Sequence, residues 1–171
     1  NLNTREVITP TATYEYGKYI DRDKKKNNGD SNYACQAAYE PGSTFKPIAV
    51  IAALDLGKID PSKKRTNGTP FKVGGITISD GRRSSRLSGE MSIGCALKHS
   101  SNPATVRIAK HCTWTEYNSY MDKLGLLDKL PLSLPSMSKG SAKNKGRKIC
   151  TEREMASMAY GYAVSVSPMH V

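Results

Sequence analysis

The sequence predicts an α+β fold in which helices dominate, and three observations support that prediction. Segments with helix start and stop signals recur along the chain, for example between Thr113 and Gly125. The stretch "TPFKVGGITISDG" alternates apolar and polar residues around Gly74 and Gly75, which predicts a β-hairpin. The sequence contains no run of about 18 apolar residues, so no membrane-spanning helix is predicted. With 171 residues, the chain is long enough to form one domain with its own core.

The composition is strongly basic. Lysine and arginine number 26 against 15 acidic residues, and the net charge of +11 favours an anionic partner. Nucleic acid, anionic lipid and a phosphate-bearing substrate all fit that charge. The basic runs "DRDKKKNNGD" and "KGSAKNKGRK" are predicted to be solvated loops. They carry neither interleaved aromatic residues nor a known nucleic-acid-binding motif, which disfavours a nucleic-acid-binding module.

Cysteine and histidine form no metal-binding pattern. Since no C-x-x-C pair occurs and four cysteines allow three pairings, the disulfide state stays open. Cys95, within "MSIGCALKH", is predicted to be a small buried apolar residue. The histidines are assigned structural roles. The residues concerned are Cys35, Cys95, Cys112, Cys150, His99, His111 and His170.

The first helix is predicted from Ser43 to Gly57, where glycine is a stop signal. Pro47 falls in the first turn, where its missing N–H needs no partner. Ser43 therefore lies at the amino end, where free N–H groups favour developing negative charge. Lys46 is one turn away on the same face, so a lysine with a lowered pKa would accept the proton of the serine. An S-x-x-K pattern alone occurs in many helices by chance.

The following elements are a hairpin, several helices and a loop. The hairpin is predicted over Phe71 to Ile78, and a short helix from Glu90 to Lys98. Asn102 is predicted to cap the next helix, with Pro103 in its first position.

Two capping boxes predict two further helices. Thr113 to Glu116 opens a helix that ends at Gly125, and Thr151 to Glu154 opens a helix towards Tyr160. Residues 130–146 are predicted to be loop, and residues 1–38 loop with short helical or extended pieces. Ser167 followed by Pro168 predicts the start of one more helix.

Several of these segments, in order, resemble class B penicillin-binding proteins, the peptidoglycan D,D-transpeptidases. "EPGSTFKP" is similar to the active-site stretch of that family, and Ser100-Ser101-Asn102 in "KHSSNPATVRIA" is similar to its S-x-N motif. "GITISDG" resembles the hairpin before this motif, and "MDKLGLLDKLPLSLPSMSKG" a glycine-rich stretch after the next helix. "YGYAVSVSPMH" resembles a further family segment, with Ala163 in place of the usual glycine. Together the motifs span nearly the whole chain, which is far more specific than any one of them.

The resemblance implies roles for four residues. Ser43 would be the nucleophile that attacks the carbonyl between the terminal D-alanines of a stem peptide, and Lys46 would accept its proton. Ser100 would hold Lys46 and relay a proton towards the leaving amine, and Asn102 would hold the substrate amide and orient Lys46. The Ser43 N–H would form one half of an oxyanion hole. From the residues alone, Ser100 or Asn102 is instead a cap of the following helix, and Ser101 has no role.

The third motif of the family, K-T-G or K-S-G, does not occur in the sequence. In the family, its strand supplies the second oxyanion donor and the group that receives the substrate carboxylate. The resemblance therefore implies that residues 1–171 are a partial transpeptidase (penicillin-binding) domain, truncated at both ends. Such a chain would cover mainly the helical part of the serine β-lactamase/transpeptidase-like fold, without most of the central sheet. Because losing one oxyanion donor costs roughly 10²–10³ in rate, the isolated chain is expected to be inactive.

The resemblance also implies partners and a location. The parent protein would be membrane-anchored, would act on the outer side of the cytoplasmic membrane with other cell-wall synthesis proteins, and would need no cofactor or metal. Its ligands would be peptidoglycan stem peptides, the lipid-linked precursor and β-lactam antibiotics, but no nucleic acid. Two alternatives share the fold: a β-lactam-sensing domain that is acylated without turnover, and a serine β-lactamase. A role in division or in elongation stays open.

Overall fold

The computed structural model describes residues 33–60, 62, 65–81, 88–131, 137–142 and 150–171. Its mixture of helices and short strands confirms the predicted α+β class. The predictions for residues 1–32, and part of those for the loop at 130–146, lie outside the described residues. The described elements are α1 (Tyr33–Gln36), a 3₁₀ turn (Gly42–Phe45), α2 (Lys46–Asp55), β1 (Arg65–Asn67), β2 (Phe71–Val73), β3 (Ile76–Ile78), β4 (Glu90–Ser92), α3 (Ile93–Lys98), α4 (Asn102–Ala109), α5 (Trp114–Lys123), β5 (Ser141–Ala142), α6 (Glu152–Ala159), β6 (Val164–Ser165) and a second 3₁₀ turn (Pro168–His170).

Helix α2 lies at the centre of the core. It contacts α4, α5 and α6, and the small side chains on its inner faces allow these helices to approach closely. The largest buried partners, Tyr117, Met121 and Met158, come from α5 and α6. Burying each of the two methionine side chains contributes on the order of 1.5–3 kcal/mol. The helix that begins with Lys46 is therefore held on several sides.

The described strands form three antiparallel pairs, β1 with β4, β2 with β3, and β5 with β6. The predicted hairpin is confirmed: Phe71 pairs with Ile78 and Val73 with Ile76. Its two turn residues, Gly74 and Gly75, both have positive φ, as a two-residue turn of this kind requires. The other strands are two or three residues long and pair with strands that are distant in the sequence. They were not predicted.

Two predicted helices begin later than expected. The segment from Ser43 to Phe45 is a 3₁₀ turn, and the α-helix starts only at Lys46, while Gly57 with φ of +65° confirms the stop signal. The prediction of a helix from Glu90 is wrong for its first three residues, which form β4. Ser92 then caps α3, its side chain accepting a hydrogen bond from the N–H of Cys95.

The helix caps are largely as predicted. In both capping boxes the glutamate side chain accepts from the N–H of the threonine, at 2.8 Å for Thr113 and 3.0 Å for Thr151. Each cap is worth about 1 kcal/mol. Asn102 as the cap of α4 is wrong, because the Ser101 side chain accepts from the N–H of Ala104 and Asn102 is already helical. The helix start at Ser167 is confirmed as a short 3₁₀ turn.

The structure shows the state of the four cysteines and the hydrogen-bond partners of His170. All four cysteines are thiols, and Cys95 is only partly buried, contrary to the prediction. His170 joins Ser167 to the backbone oxygen of Asp128. Within the described ranges, no three His, Cys, Asp or Glu side chains cluster as metal ligands would. None of the helices in those ranges combines the length and apolar character needed to span a membrane.

Candidate active site

The position of Ser43 is set by a pairing of two distant segments, residues 39–42 and 161–166, which we call the brace. Tyr39 and Val166 exchange two backbone hydrogen bonds of 3.0 Å, and the N–H of Gly42 donates to the oxygen of Gly161 at 2.9 Å. The Glu40 carboxylate also accepts from a backbone N–H of the other segment, at 2.9 Å. Ser43 follows the brace directly, so its backbone is fixed by residues more than a hundred positions away.

Two residues of the brace have unusual backbone conformations. Gly161 has φ of +83°, and a Cβ there would lie 2.0 Å from the oxygen of Gly42, so only glycine fits. Ala163 has φ of +58°, a left-handed conformation that costs a residue with a Cβ roughly 1–2 kcal/mol. The position at which the chain departs from the resembling motif is therefore one where glycine would be unstrained.

Lys46 is buried at the start of α2, with only 2% of its surface exposed. Its Nζ donates to the hydroxyl of Ser100 at 2.9 Å and also to the Ser100 carbonyl oxygen. Burial lowers the pKa of Lys46 from 10.5 to about 8, and the nearby charge of Asp80 opposes part of that shift. About a tenth of the amine is thus neutral at pH 7, far more than for an ordinary lysine, and the neutral form is the one that a general base requires.

Ser100 presents both of its oxygens to the lysine because of its backbone. It lies between α3 and α4 with φ of +54°, which is uncommon for a residue other than glycine. Such conformations persist where surrounding contacts hold them, and they cluster at functional sites.

Asp80, two residues after the end of β3, holds the two residues that follow Ser100. Its carboxylate accepts from the Ser101 hydroxyl at 2.8 Å and from the N–H of Asn102 at 2.5 Å. The Asn102 side-chain amide donates to the oxygen of Ser79 at 3.0 Å. Neither Asp80 nor Ser101 has a role that the sequence predicts. The only available signal was an acidic residue at the end of the hairpin in "GITISDG", 21 positions before its partner.

Ser43 and Asn102 face an open cleft of about 450 Å³. That volume lies in the range of small-molecule sites. The Ser43 side chain is exposed, and no hydrogen bond joins it to Lys46 or to any other residue that the structure describes. Catalytic hydrogen bonds are often long before substrate binds. The cleft is lined by Ser43, Ile76, Asn102, Arg153, Ser157, Tyr160 and Tyr162.

The predicted site residues therefore form two groups. Lys46 and Ser100 are in direct contact, whereas Ser43 and Asn102 share the cleft. Asp80 connects the groups, because it binds the backbone of Asn102 and acts electrostatically on Lys46. This arrangement is suited to nucleophilic acyl transfer. An exposed hydroxyl lies one turn from a buried amine, and a second hydroxyl accepts a hydrogen bond from that amine.

Comparisons with known proteins show the family to which the chain is similar. The family model described as penicillin binding protein transpeptidase domain matches residues 7–171. The chain is 28% identical over 136 residues to the probable peptidoglycan D,D-transpeptidase PenA of Neisseria flavescens, covering 80% of this chain and 32% of the relative. It is 30% identical over 174 residues to the peptidoglycan D,D-transpeptidase FtsI of Buchnera aphidicola, covering 100% of this chain and 29% of the relative.

Solved structures show the same similarity. The transpeptidase domain of penicillin-binding protein 3 from Burkholderia pseudomallei matches with a TM-score of 0.71 and 28% identity, over 82% of this chain and 41% of that one. A structure from Burkholderia ambifaria, described as a peptidoglycan glycosyltransferase, matches with a TM-score of 0.70 and 29% identity, over 81% of this chain and 42% of that one. The chain thus spans about a third of the length of these curated relatives.

Proposed function

We infer the function from the family, since the chain belongs to the penicillin-binding protein transpeptidase domains. We propose that it is part of a serine-type peptidoglycan D,D-transpeptidase, which crosslinks stem peptides through an ester on Ser43 and is acylated by β-lactams. The observation that carries the proposal is a buried lysine amine of lowered pKa one turn after an exposed serine that faces a cleft.

In the proposed acylation, neutral Lys46 accepts the hydroxyl proton of Ser43 as the Ser43 oxygen attacks the carbonyl of the penultimate D-alanine. The N–H of Ser43 lies in the first turn of a helix, where amides lack intrahelical acceptors, and would donate to the oxyanion. Breaking the amide bond releases the terminal D-alanine. Its amine receives the proton from Lys46 through the Ser100 hydroxyl, which the lysine already contacts at 2.9 Å. An amine of a neighbouring strand then attacks the ester and restores the Ser43 hydroxyl.

Asn102 would bind the substrate amide through its side-chain oxygen. Its side-chain nitrogen donates to the oxygen of Ser79, which orients the carboxamide, and its side-chain oxygen is the acceptor for an N–H of the peptide. The hydrogen bond from the Asn102 backbone to Asp80 fixes the residue at the start of α4. This contact gives Asn102 a defined orientation before substrate arrives.

A β-lactam sensor or a β-lactamase would use the same acylation step. Both relatives named above are D,D-transpeptidases, which favours crosslinking of the acyl group over hydrolysis. We place the reaction on the outer side of the cytoplasmic membrane, where peptidoglycan is crosslinked. The charge of +11 suits an anionic, lipid-linked precursor.

The test is intact mass spectrometry after incubation with a fluorescent penicillin. The full-length natural protein is expected to gain one adduct, which Ser43→Ala abolishes and Ser119→Ala, an exposed control on α5, retains. The 171-residue chain alone is expected to gain none, because it has no K-[ST]-G motif to complete the oxyanion hole. An adduct that persists in Ser43→Ala would refute the nucleophile, and an adduct on the isolated chain would show that the third motif is dispensable for acylation.

A further inference from the structure

The cleft carries a cation that the reaction proposed above does not use. Arg153, the second residue of α6, lines the cleft together with Ser43 and Asn102. Its side chain is exposed and forms no ion pair with any residue in the described part of the chain. Both neighbouring carboxylates are engaged elsewhere: Glu152 lies 3.7 Å from Lys110, and Glu154 closes the capping box with Thr151.

The backbone of Arg153 is held in place by the hairpin. A Cβ on Gly74 would lie 2.7 Å from the Cβ of Arg153 and 2.9 Å from its backbone nitrogen, so the hairpin turn and the start of α6 are in close contact. The base of the side chain is thus fixed against the hairpin, whereas the guanidinium is left to bind a ligand. Fixing the base lowers the conformational cost of binding.

Arg153 also sets the charge of the cleft. Every other lining residue is uncharged, and Tyr160 and Tyr162 form an edge-to-face pair with ring centres 5.5 Å apart. A guanidinium binds a carboxylate through two parallel hydrogen bonds, which an uncharged carboxamide does not reproduce. The cleft therefore fits a peptide that carries a carboxylate close to an apolar group.

We propose that Arg153 binds a carboxylate of the stem peptide and so makes the enzyme select acidic over amidated peptides. The inference rests on the proposed function. In the family, the strand of the third motif receives the terminal carboxylate, so the carboxylate assigned to Arg153 is the acidic group nearer the amino end of the peptide. Arg153 is a specificity-determining residue in this account and takes no part in bond breaking.

The test uses the full-length natural protein and three synthetic stem peptides, one with both carboxylates, one with a terminal carboxamide and one with the upstream group amidated. Release of the terminal residue gives KM and kcat for each peptide. Arg153→Gln is expected to raise KM about tenfold for the peptide with both carboxylates while kcat changes little. The same substitution is expected to leave KM unchanged for the peptide with the upstream group amidated, and to raise it for the peptide with the terminal carboxamide. Arg153→Lys keeps part of the discrimination, because a point charge replaces the planar fork.

The control is Lys129→Gln, which removes an equal charge from an exposed position outside the cleft lining and is expected to leave every KM unchanged. Binding of the same peptides to Ser43→Ala, by calorimetry with and without Arg153→Gln, measures recognition without turnover. If Arg153→Gln lowers the affinity equally for all three peptides, or for none of them, the role of Arg153 is overturned even though penicillin still labels the wild-type protein. Failure of penicillin to label the wild-type protein would overturn the proposed function, and the role of Arg153 with it.

Discussion

The candidate site has a buried side and an open side, and the two differ in how their polar groups are satisfied. On the buried side, which is named for Lys46, the exposed Ser100 and the half-buried Asp80 are connected to the lysine within the protein by hydrogen bonds and charge. On the open side, Ser43 and Arg153 face the cleft and make no side-chain hydrogen bond or ion pair with the residues that the structure describes. Lys46 and Ser100 are therefore organised before substrate arrives, whereas the side chains of Ser43 and Arg153 are left without protein partners in the described residues.

This difference has an energetic meaning. Burying an amine disfavours its charged form, so the buried side is maintained at a cost in stability and yields a base of lowered pKa. Preorganised polar groups need no rearrangement during reaction, which is where much of enzymatic rate enhancement arises. The open side costs the free protein little, because water solvates its side chains until a ligand displaces it. Substitutions on the two sides should therefore affect stability and activity in different proportions.

The largest effect is expected from Lys46→Met. This change keeps the length and burial of the side chain but removes the amine, so penicillin acylation of the full-length protein should fall by about 10²–10⁴. The melting temperature should stay the same or rise, since a buried ionisable group is replaced by an apolar one. Stopped-flow acylation and calorimetry measure both quantities. Lys129→Met, at an exposed position, should change neither, and a wild-type acylation rate in Lys46→Met would remove the lysine from the reaction.

The next largest effect tests the brace behind the open side. Gly161→Ala places a methyl group against the Gly42 oxygen and should lower the free energy of unfolding by about 3 kcal/mol or more while displacing Ser43. Gly75→Ala is its matched control, because Gly75 has nearly the same φ, +82°, but open space around its Cβ position. That control should cost only about 1 kcal/mol and leave acylation intact. Urea unfolding of both variants separates the cost of backbone strain from the cost of the clash. Equal losses of unfolding free energy in the two variants would mean that the brace contact is unimportant.

A smaller effect is expected from Asp80→Asn. The Ser101 hydroxyl and the Asn102 N–H lose a charged acceptor, so stability should fall by about 1–3 kcal/mol and acylation by about tenfold. The negative charge of Asp80 raises the pKa of Lys46, so its removal should move the pH midpoint of acylation downwards. An upward shift of that midpoint would contradict the electrostatic connection between the two groups.

Local signals predicted much of the fold. The capping boxes at Thr113 and Thr151, the stop at Gly57 and the glycine turn of the hairpin depend on residues within a few positions of each other, and all are confirmed. The strand β4 was predicted as helix, because its three residues take their conformation from pairing with β1, more than twenty positions away. The Ser101 cap was assigned one residue too late, since Ser and Asn are nearly equal as caps.

The candidate site also has one part that local sequence predicts and another part that depends on contacts between distant residues. The spacing of Ser43 and Lys46 is readable in the sequence because one helical turn joins them. The contacts from Lys46 to Ser100, and from Asp80 to Ser101, cross 54 and 21 positions, and only the folded chain brings them together. Arg153 was missed for the same reason, since its place in the cleft depends on the contact between α6 and the hairpin.

The central claim, that buried Lys46 is the base, is tested most directly by the pH dependence of penicillin acylation in the full-length protein. Only the neutral amine accepts a proton, so the acylation rate should be low below the pKa of Lys46 and should rise as pH increases through it. If Lys46 is the base, the midpoint lies at about 8. A midpoint near 10.5, the ordinary value for lysine, or a rate independent of pH would contradict it.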